Sequence, residues 1–306
     1  MRIAFAGTPE VAVPSLSALL DAGHDVVAVI TRPDAPAGRG RSVRPSPVAV
    51  FASARDLHVL KPERLIEVAD ELERLAPEMV AVVAYGGLVP ATMLDVPEYG
   101  WVNLHFSLLP AWRGAAPVQR AIMAGEDITG ACTFRLETGL DTGPILGSLT
   151  REIEDDDTAG SLLDALAREG AKLLAQTTAS IASLTPVPQA VEGVSYAPKL
   201  EKADARIVWR HPALAIDRLI RGCTPEPAAW TEIRGERLVV GPITPRPDVR
   251  DLEPAAVRAL ADQVLVGTGS HAIELGRVKP AGRTWMDAAA WWRGARLDGG
   301  FTDAGR

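Results

Sequence analysis

The 306-residue chain is 47% apolar and 23% charged and carries a net charge of −7. That balance describes a globular protein with a full core, long enough for one large or two ordinary domains. It excludes a disulfide framework and a cysteine-based zinc site, because Cys132 and Cys223 stand alone in distant segments. No apolar run is long enough to span a bilayer. Acid and base are unevenly spread. Residues 1–200 hold 16 Lys/Arg against 25 Asp/Glu, whereas residues 201–306 hold 16 against 14. A local basic patch on an acidic protein therefore stays open, and four arginines crowd the stretch 32–44. The chain enters a strand pattern at once, so no leader is expected, and a reducing, cytoplasmic setting fits.

In chain order, residues 2–6 read as a buried strand and 10–22 as a helix ending at Gly23. A second strand spans 25–30. A Pro/Gly/Arg loop follows, then a helix after Ser46-Pro47, a brief strand at 58–60 and a helix at 63–75. Residues 79–84 are continuously apolar, as in a strand buried on both faces. Residues 101–105 form another strand and 115–124 a helix. Residues 129–136 and 144–153 read as a strand pair, and 158–183 as a long helix. This alternation predicts an α/β fold with a doubly wound, mostly parallel sheet over 1–185. Residues 186–205, with Thr185-Pro-Val-Pro188 and Tyr196-Ala-Pro198, read as an extended linker. From 206 to 306 short strands recur at 207–209, 230–233, 238–240, 263–266 and 271–275, with a helix at 212–221. That pattern predicts a smaller β-barrel-type domain.

Asn103 and His105 are two apart at the end of an apolar strand, so they share a face. An amide that can hold a carbonyl oxygen beside an imidazole that can take a proton suits acyl transfer to an amine. An edge strand with a wet face explains these two residues alone, but not the Ser107-Leu-Leu-Pro110 turn and Trp112-Arg-Gly that follow. Asp141, in Gly139-Leu-Asp-Thr-Gly143, reads by itself as a turn residue. Placed near His105, its carboxylate would fix the ring's tautomer and stabilise its cation. The basic loop is either a solvated surface or a phosphate grip through Arg39, Arg41 and Arg44. Gly7-Thr-Pro-Glu10 lacks the glycine pattern of a dinucleotide turn, so NAD binding is not expected. His24, His58, His211 and His271 read as surface or boundary residues, and the tryptophans of the second half as packing.

Asn103-x-His105-x-Ser107-Leu-Leu-Pro110, with Gly-Leu-Asp141-Thr-Gly143 downstream, resembles the folate-dependent formyltransferases. The opening Ala-Gly-Thr-Pro-Glu, the Pro36-Ala-Gly-Arg39-Gly loop, Trp112-Arg-Gly-Ala-Ala-Pro117 and Tyr196-Ala-x-Lys199-Leu point within that group to the branch acting on methionyl-tRNA. The motifs are strong over residues 1–210 and weaker to Pro280-Ala-Gly-Arg283. Phe106 departs from the pattern, where a small residue or Pro is more usual between His and Ser. The resemblance implies a Rossmann-like catalytic domain and a C-terminal barrel like an oligonucleotide-binding fold. It implies 10-formyltetrahydrofolate as cosubstrate, initiator methionyl-tRNA as partner, a monomer, and no metal or membrane. It carries catalysis to Asn103, His105 and Asp141, the folate turn to Ser107, Leu108, Leu109 and Pro110, and a tRNA-facing loop to Arg39, Arg41 and Arg44. Three rivals stand beside it: a formyltransferase of amino-sugar nucleotides, a formyltetrahydrofolate hydrolase, and a non-catalytic tRNA binder. The basic loop argues against the first two, and the intact polar trio against the third.

Overall fold

Ile3, Ala4, Phe5 and Ala6 are wholly buried, and the strand that carries them, β1 (Arg2–Gly7), lies inside a seven-stranded sheet. The computed structural model describes residues 1–37, 42–295 and 300–302. They form two compact units. The first contains residues 1–117, 128–152 and 163–197; the second contains 118–127, 153–162 and the chain from 198 onward.

In the first unit the strands are β1, β2 (Asp25–Ile30), the short β3 (Ala35–Ala37) and β4 (Ser42–Arg44), and β5 (Val59–Leu60). They continue with β6 (Met79–Val83), β7 (Trp101–His105), β8 (Arg113–Gly114), β9 (Ile128–Arg135), β10 (Ile145–Glu152) and β11 (Tyr196–Ala197). The sheet order is β10-β9-β7-β6-β1-β2-β5. The five strands from β7 to β5 run parallel, and β9 and β10 close the far edge antiparallel. The composition explains the split. Every residue of β6 is buried, as a central parallel strand requires, whereas β10 alternates half-buried with exposed residues beyond Leu146 and keeps one wet face.

Helices α1 (Val13–Asp21), α2 (Pro47–Ser53), α3 (Ala69–Leu75), α4 (Ala91–Leu94) and most of α6 (Ala159–Ser180) alternate with these strands, while α5 (Pro117–Ala124) falls almost wholly in the second unit. Ser46 starts α2 as an N-cap: its Oγ accepts the Ala49 N–H at 3.0 Å, with Pro47 in the first turn. Gly23 ends α1 at φ +78°, a conformation glycine adopts without steric cost. Gly170 lets α6 lie close on the sheet, since a Cβ there would meet the Leu104 side chain at 2.9 Å.

Three local expectations are revised. The helix expected at 63–75 opens as a 3-10 turn, Leu65–Val68, before α3. The Pro/Gly/Arg loop is partly structured, since β3 pairs antiparallel with β4. Within the extended stretch after α6, Tyr196 and Ala197 form a parallel pair with Arg113 and Gly114, and Val187 bridges to Ile145.

The second unit holds α7 (Ala213–Gly222), α8 (Ala288–Ala295) and eight antiparallel strands: β12 (Trp230–Ile233), β13 (Glu236–Val240), β14 (Ile243–Arg246), β15 (Val257–Ala259), β16 (Val264–Val266), β17 (Ala272–Leu275), β18 (Arg277–Pro280) and β19 (Met286–Asp287). They make two four-stranded sheets, β12-β13-β18-β19 and β14-β17-β16-β15. Both sheets feed one core around Trp209, which is fully buried and stacks on Phe301 at 5.3 Å. The Trp209 indole N–H donates to Thr231 Oγ1 at 2.9 Å, so the large ring is buried without an orphaned donor. The strand expected at 207–209 does not form. Ile207 makes one bridge-like bond to the Trp230 carbonyl, and the chain then turns into α7 behind Pro212. β14 was hidden in the sequence by Pro245, which the fold accommodates on an edge strand. Among the described residues no helix is long and apolar enough to cross a membrane.

Candidate active site

Because β1, β2, β6 and β7 are parallel, their C-terminal ends reach one edge of the sheet, where open α/β folds bind ligands. The ends are tied together. Thr8, after β1, donates its hydroxyl to the Tyr85 carbonyl after β6 at 2.8 Å, and Arg32, after β2, donates to the Gly86 carbonyl at 3.3 Å.

Asn103 and His105 sit on β7 at this edge, His105 buried and Asn103 half-buried. Their register neighbours on β9 are Phe134 and Cys132. The Asn103 amide makes no hydrogen bond among the described residues, which leaves two donors and an acceptor for a ligand. After β7 the chain folds back through 106–111. The buried Ser107 hydroxyl donates to the Ala111 carbonyl at 2.6 Å, and the Ala111 N–H donates to the Leu108 carbonyl at 3.1 Å. Leu109 packs on Cys132 and Phe134 under this turn, and Phe106 is buried as well. The fold-back brings the Trp112 carbonyl to 2.9 Å from His105 Nε2.

A carbonyl can only accept, so Nε2 carries the proton of the neutral ring and Nδ1 keeps its lone pair. Nδ1 faces Asp141 Oδ2 at 3.8 Å, an ion-pair distance too long for a hydrogen bond. Both side chains are largely out of water, at 6% and 13% exposure. Burial pushes the His105 pKa below its ordinary value, against the opposing pulls of the Asp141 charge and the Trp112 carbonyl. The ring is thus held between the Trp112 carbonyl at Nε2 and the Asp141 carboxylate on its Nδ1 side. Phe134 stands edge-on to the ring at 6.3 Å and keeps that side apolar.

Asp141 takes its place through an unusual backbone, φ +49°, which short polar side chains tolerate better than most. Its Oδ2 accepts the Gly114 N–H at 2.8 Å. Gly114 must be glycine, since φ is +123° and a Cβ would stand 2.8 Å from the Ala197 carbonyl oxygen. The carboxylate is therefore held by the β8–β11 pair. Ser195 completes that frame: its Oγ accepts the Trp112 N–H and its carbonyl accepts the Arg113 N–H, both at 2.9 Å.

The structure thus brings Asn103, His105 and Asp141 to one sheet edge, with Ser107, Leu108, Leu109 and Pro110 as the turn beneath His105. Arg44 lies on β4, exposed, with its Nε 3.3 Å from Ser42 Oγ. Arg39 and Arg41 fall outside the described residues. Sequence reasoning missed the supports, Ser195 and Gln189, whose extended, proline-bearing segment has no period to mark it. Among the described residues no group of His, Cys, Asp or Glu is arranged to hold a metal ion. Cys132 is buried and its thiol pKa is pushed up by that burial, so it is a packing residue rather than a nucleophile.

Comparison with known proteins gives the family. Residues 1–178 match the formyl transferase family, and residues 199–296 match the formyl transferase C-terminal domain. The methionyl-tRNA formyltransferase of Thermobifida fusca is 57% identical over 98% of each chain, and that of Streptomyces coelicolor 56% identical over 98% of each. This chain belongs to the methionyl-tRNA formyltransferases. Solved structures share the fold at low identity. An N-formyltransferase from Helicobacter canadensis, in complex with folinic acid and dTDP-3-aminofucose, aligns with TM-score 0.68 at 19% identity, over 89% of this chain and 97% of that one. Phosphoribosylglycinamide formyltransferase from Bacillus halodurans aligns at TM-score 0.52 and 24% identity, over 60% of this chain and 96% of the other. At these identities the likeness shows the shared fold.

Proposed function

We infer that the chain transfers the formyl group of 10-formyltetrahydrofolate to the α-amino group of methionine on initiator tRNA, with Asn103, His105 and Asp141 as the catalytic trio. The observation that carries the chemistry is the pinched imidazole: His105 Nε2 at 2.9 Å from a carbonyl and Nδ1 at 3.8 Å from a carboxylate, beside an amide with free donors. The amine's lone pair attacks the formyl carbon, a C–N bond forms, and the formyl oxygen becomes an oxyanion. The Asn103 amide donates to that oxygen. His105 takes the amine's surplus proton at Nδ1, directly or through water, and Asp141 stabilises the imidazolium. Collapse of the intermediate breaks the bond to the folate N10, and His105 returns the proton to that nitrogen. Proton and charge balance, and His105 ends neutral. No covalent enzyme intermediate is needed, and the Ser107 hydroxyl, committed to the Ala111 carbonyl, is a support for the turn.

In this reading the turn 107–110 faces the folate, and Arg39, Arg41 and Arg44 face the acceptor end of the tRNA, where guanidinium forks suit phosphate. The enzyme acts as a monomer in the cytoplasm. The test offers labelled 10-formyltetrahydrofolate with charged initiator tRNA, charged elongator tRNA and an amino-sugar nucleotide side by side. Fast labelling of initiator methionyl-tRNA alone is expected. Labelling of the sugar, or formate release without an acceptor, would overturn the tRNA assignment.

A further inference from the structure

Two residues beyond the bridge between Val187 and Ile145, the side chain of Gln189 reaches the loop that carries Asp141. Its Nε2 donates to the Asp141 carbonyl at 2.7 Å and to the Gly143 carbonyl at 2.8 Å. Its Oε1 accepts from Arg113, Nη2 at 2.6 Å and Nε at 3.2 Å. A glutamine amide has two donor hydrogens and two acceptor lone pairs, and here all four are used. The two carbonyls also fix which end of the amide is nitrogen, because neither could face an oxygen. Arg113 and Gly114 are neighbours on β8, and they grip Asp141 from both sides. The Gly114 N–H holds the carboxylate, while the Arg113 guanidinium, through Gln189, holds the backbone. The loop has no slack at its other end either, since a Cβ on Gly143 would run into the Arg135 carbonyl oxygen.

We infer that Gln189 is a positioning residue for catalysis: it closes a ring of hydrogen bonds, from Arg113 through Gln189 to the Asp141 loop and back to Gly114, that fixes the Asp141 carboxylate opposite His105. Gln189 acts through Asp141 and touches no reacting atom. The inference rests on the catalytic reading of Asp141. Its chemistry requires an amide. Glutamate would keep an acceptor for Arg113 but would turn a carboxylate toward two carbonyls, removing both donors and adding repulsion. Alanine would release both arms of the clamp.

The test is a double-mutant cycle on tRNA formylation, with KM for both substrates and thermal midpoints measured alongside. Q189A and Q189E are each expected to lower kcat on the order of 10- to 100-fold, as loosened supports of a reacting group do, with both KM values nearly unchanged. In a D141N background, Q189A should add less than about 2-fold, because the group it positions is already disabled. A wild-type kcat in Q189E would overturn the inference, since Arg113 pairing alone would then suffice. An equal loss from Q189A in both backgrounds would also overturn it, as the mark of a general structural role. If D141N itself turns over normally, the catalytic reading of Asp141 falls and the positioning role with it. If D141N is crippled while Q189A is not, only the Gln189 assignment falls.

Discussion

The chain leaves β7 and β2 at the same edge of one sheet, and the two exits are built in opposite ways. After β7 the backbone is cross-braced: His105, Ser107, Trp112, Gly114 and Asp141 each have a protein partner within 3.8 Å. After β2, among the described residues, Thr31 bonds Ser46 Oγ at 2.7 Å, Asp34 pairs with Lys61 at 2.6 Å, and the small β3–β4 pair follows with all three residues of β4 exposed, Val43 at 66%. The difference follows from what each must do. A proton acceptor works only when its geometry and desolvation are set before substrate arrives, because a displacement of about 1 Å can cost roughly 100-fold in rate. Arginines that grip a phosphate chain need reach and charge. In the proposed function, one exit holds the reacting groups and the other meets the tRNA.

The sharpest break in that comparison is removal of the base. His105→Ala should lower kcat by roughly 100- to 10,000-fold, the range for a positioned acid–base group, with tRNA affinity preserved. Single-turnover rates and a separate binding titration distinguish the two. Asn103→Ala removes an oxyanion donor and should lower kcat on the order of 100- to 1000-fold, again without loss of either substrate's binding. A fall in affinity instead would make Asn103 a binding group.

Asp141→Asn sharpens the electrostatics. In the proposed mechanism the neutral imidazole is the active form, so activity falls as pH drops through the His105 pKa, which burial places below its ordinary value. The Asp141 charge raises that pKa, so its removal must move the acid limb of the kcat profile to lower pH even as the plateau falls. A limb that stays put would mean that His105 does not feel Asp141. The smallest effect belongs to the other exit. Arg44→Ala should leave kcat unchanged, raise the KM for tRNA a few-fold and reduce the salt slope of binding by about one. A drop in kcat with unchanged binding would place Arg44 in the chemistry.

Much of the braced exit was legible in the sequence. The spacing of Asn103 and His105 announces a shared face because a strand's period is two, and the flanking glycines of Asp141 announce a tight turn. Ser46-Pro47 announces a helix start. What supports Asp141 was not legible. Gln189 and Ser195 lie in a stretch whose prolines suit an extended linker, and nothing local records that Gly114 and Ala197 pair 83 residues apart. The β3–β4 pair was hidden for a related reason: Ala-Pro-Ala and Ser-Val-Arg are too short to show alternation, and pairing alone defines them. Long-range hydrogen bonds are set by topology, and topology is only partly written in local pattern.

The most direct measurement is the nitrogen-15 spectrum of His105, followed from pH 8 to pH 5 in the wild type and in Asp141→Asn. A neutral ring protonated at Nε2 at neutral pH is expected, titrating below the ordinary histidine value and lower still without the carboxylate. A ring protonated at Nδ1, or one already cationic at neutral pH, would contradict it.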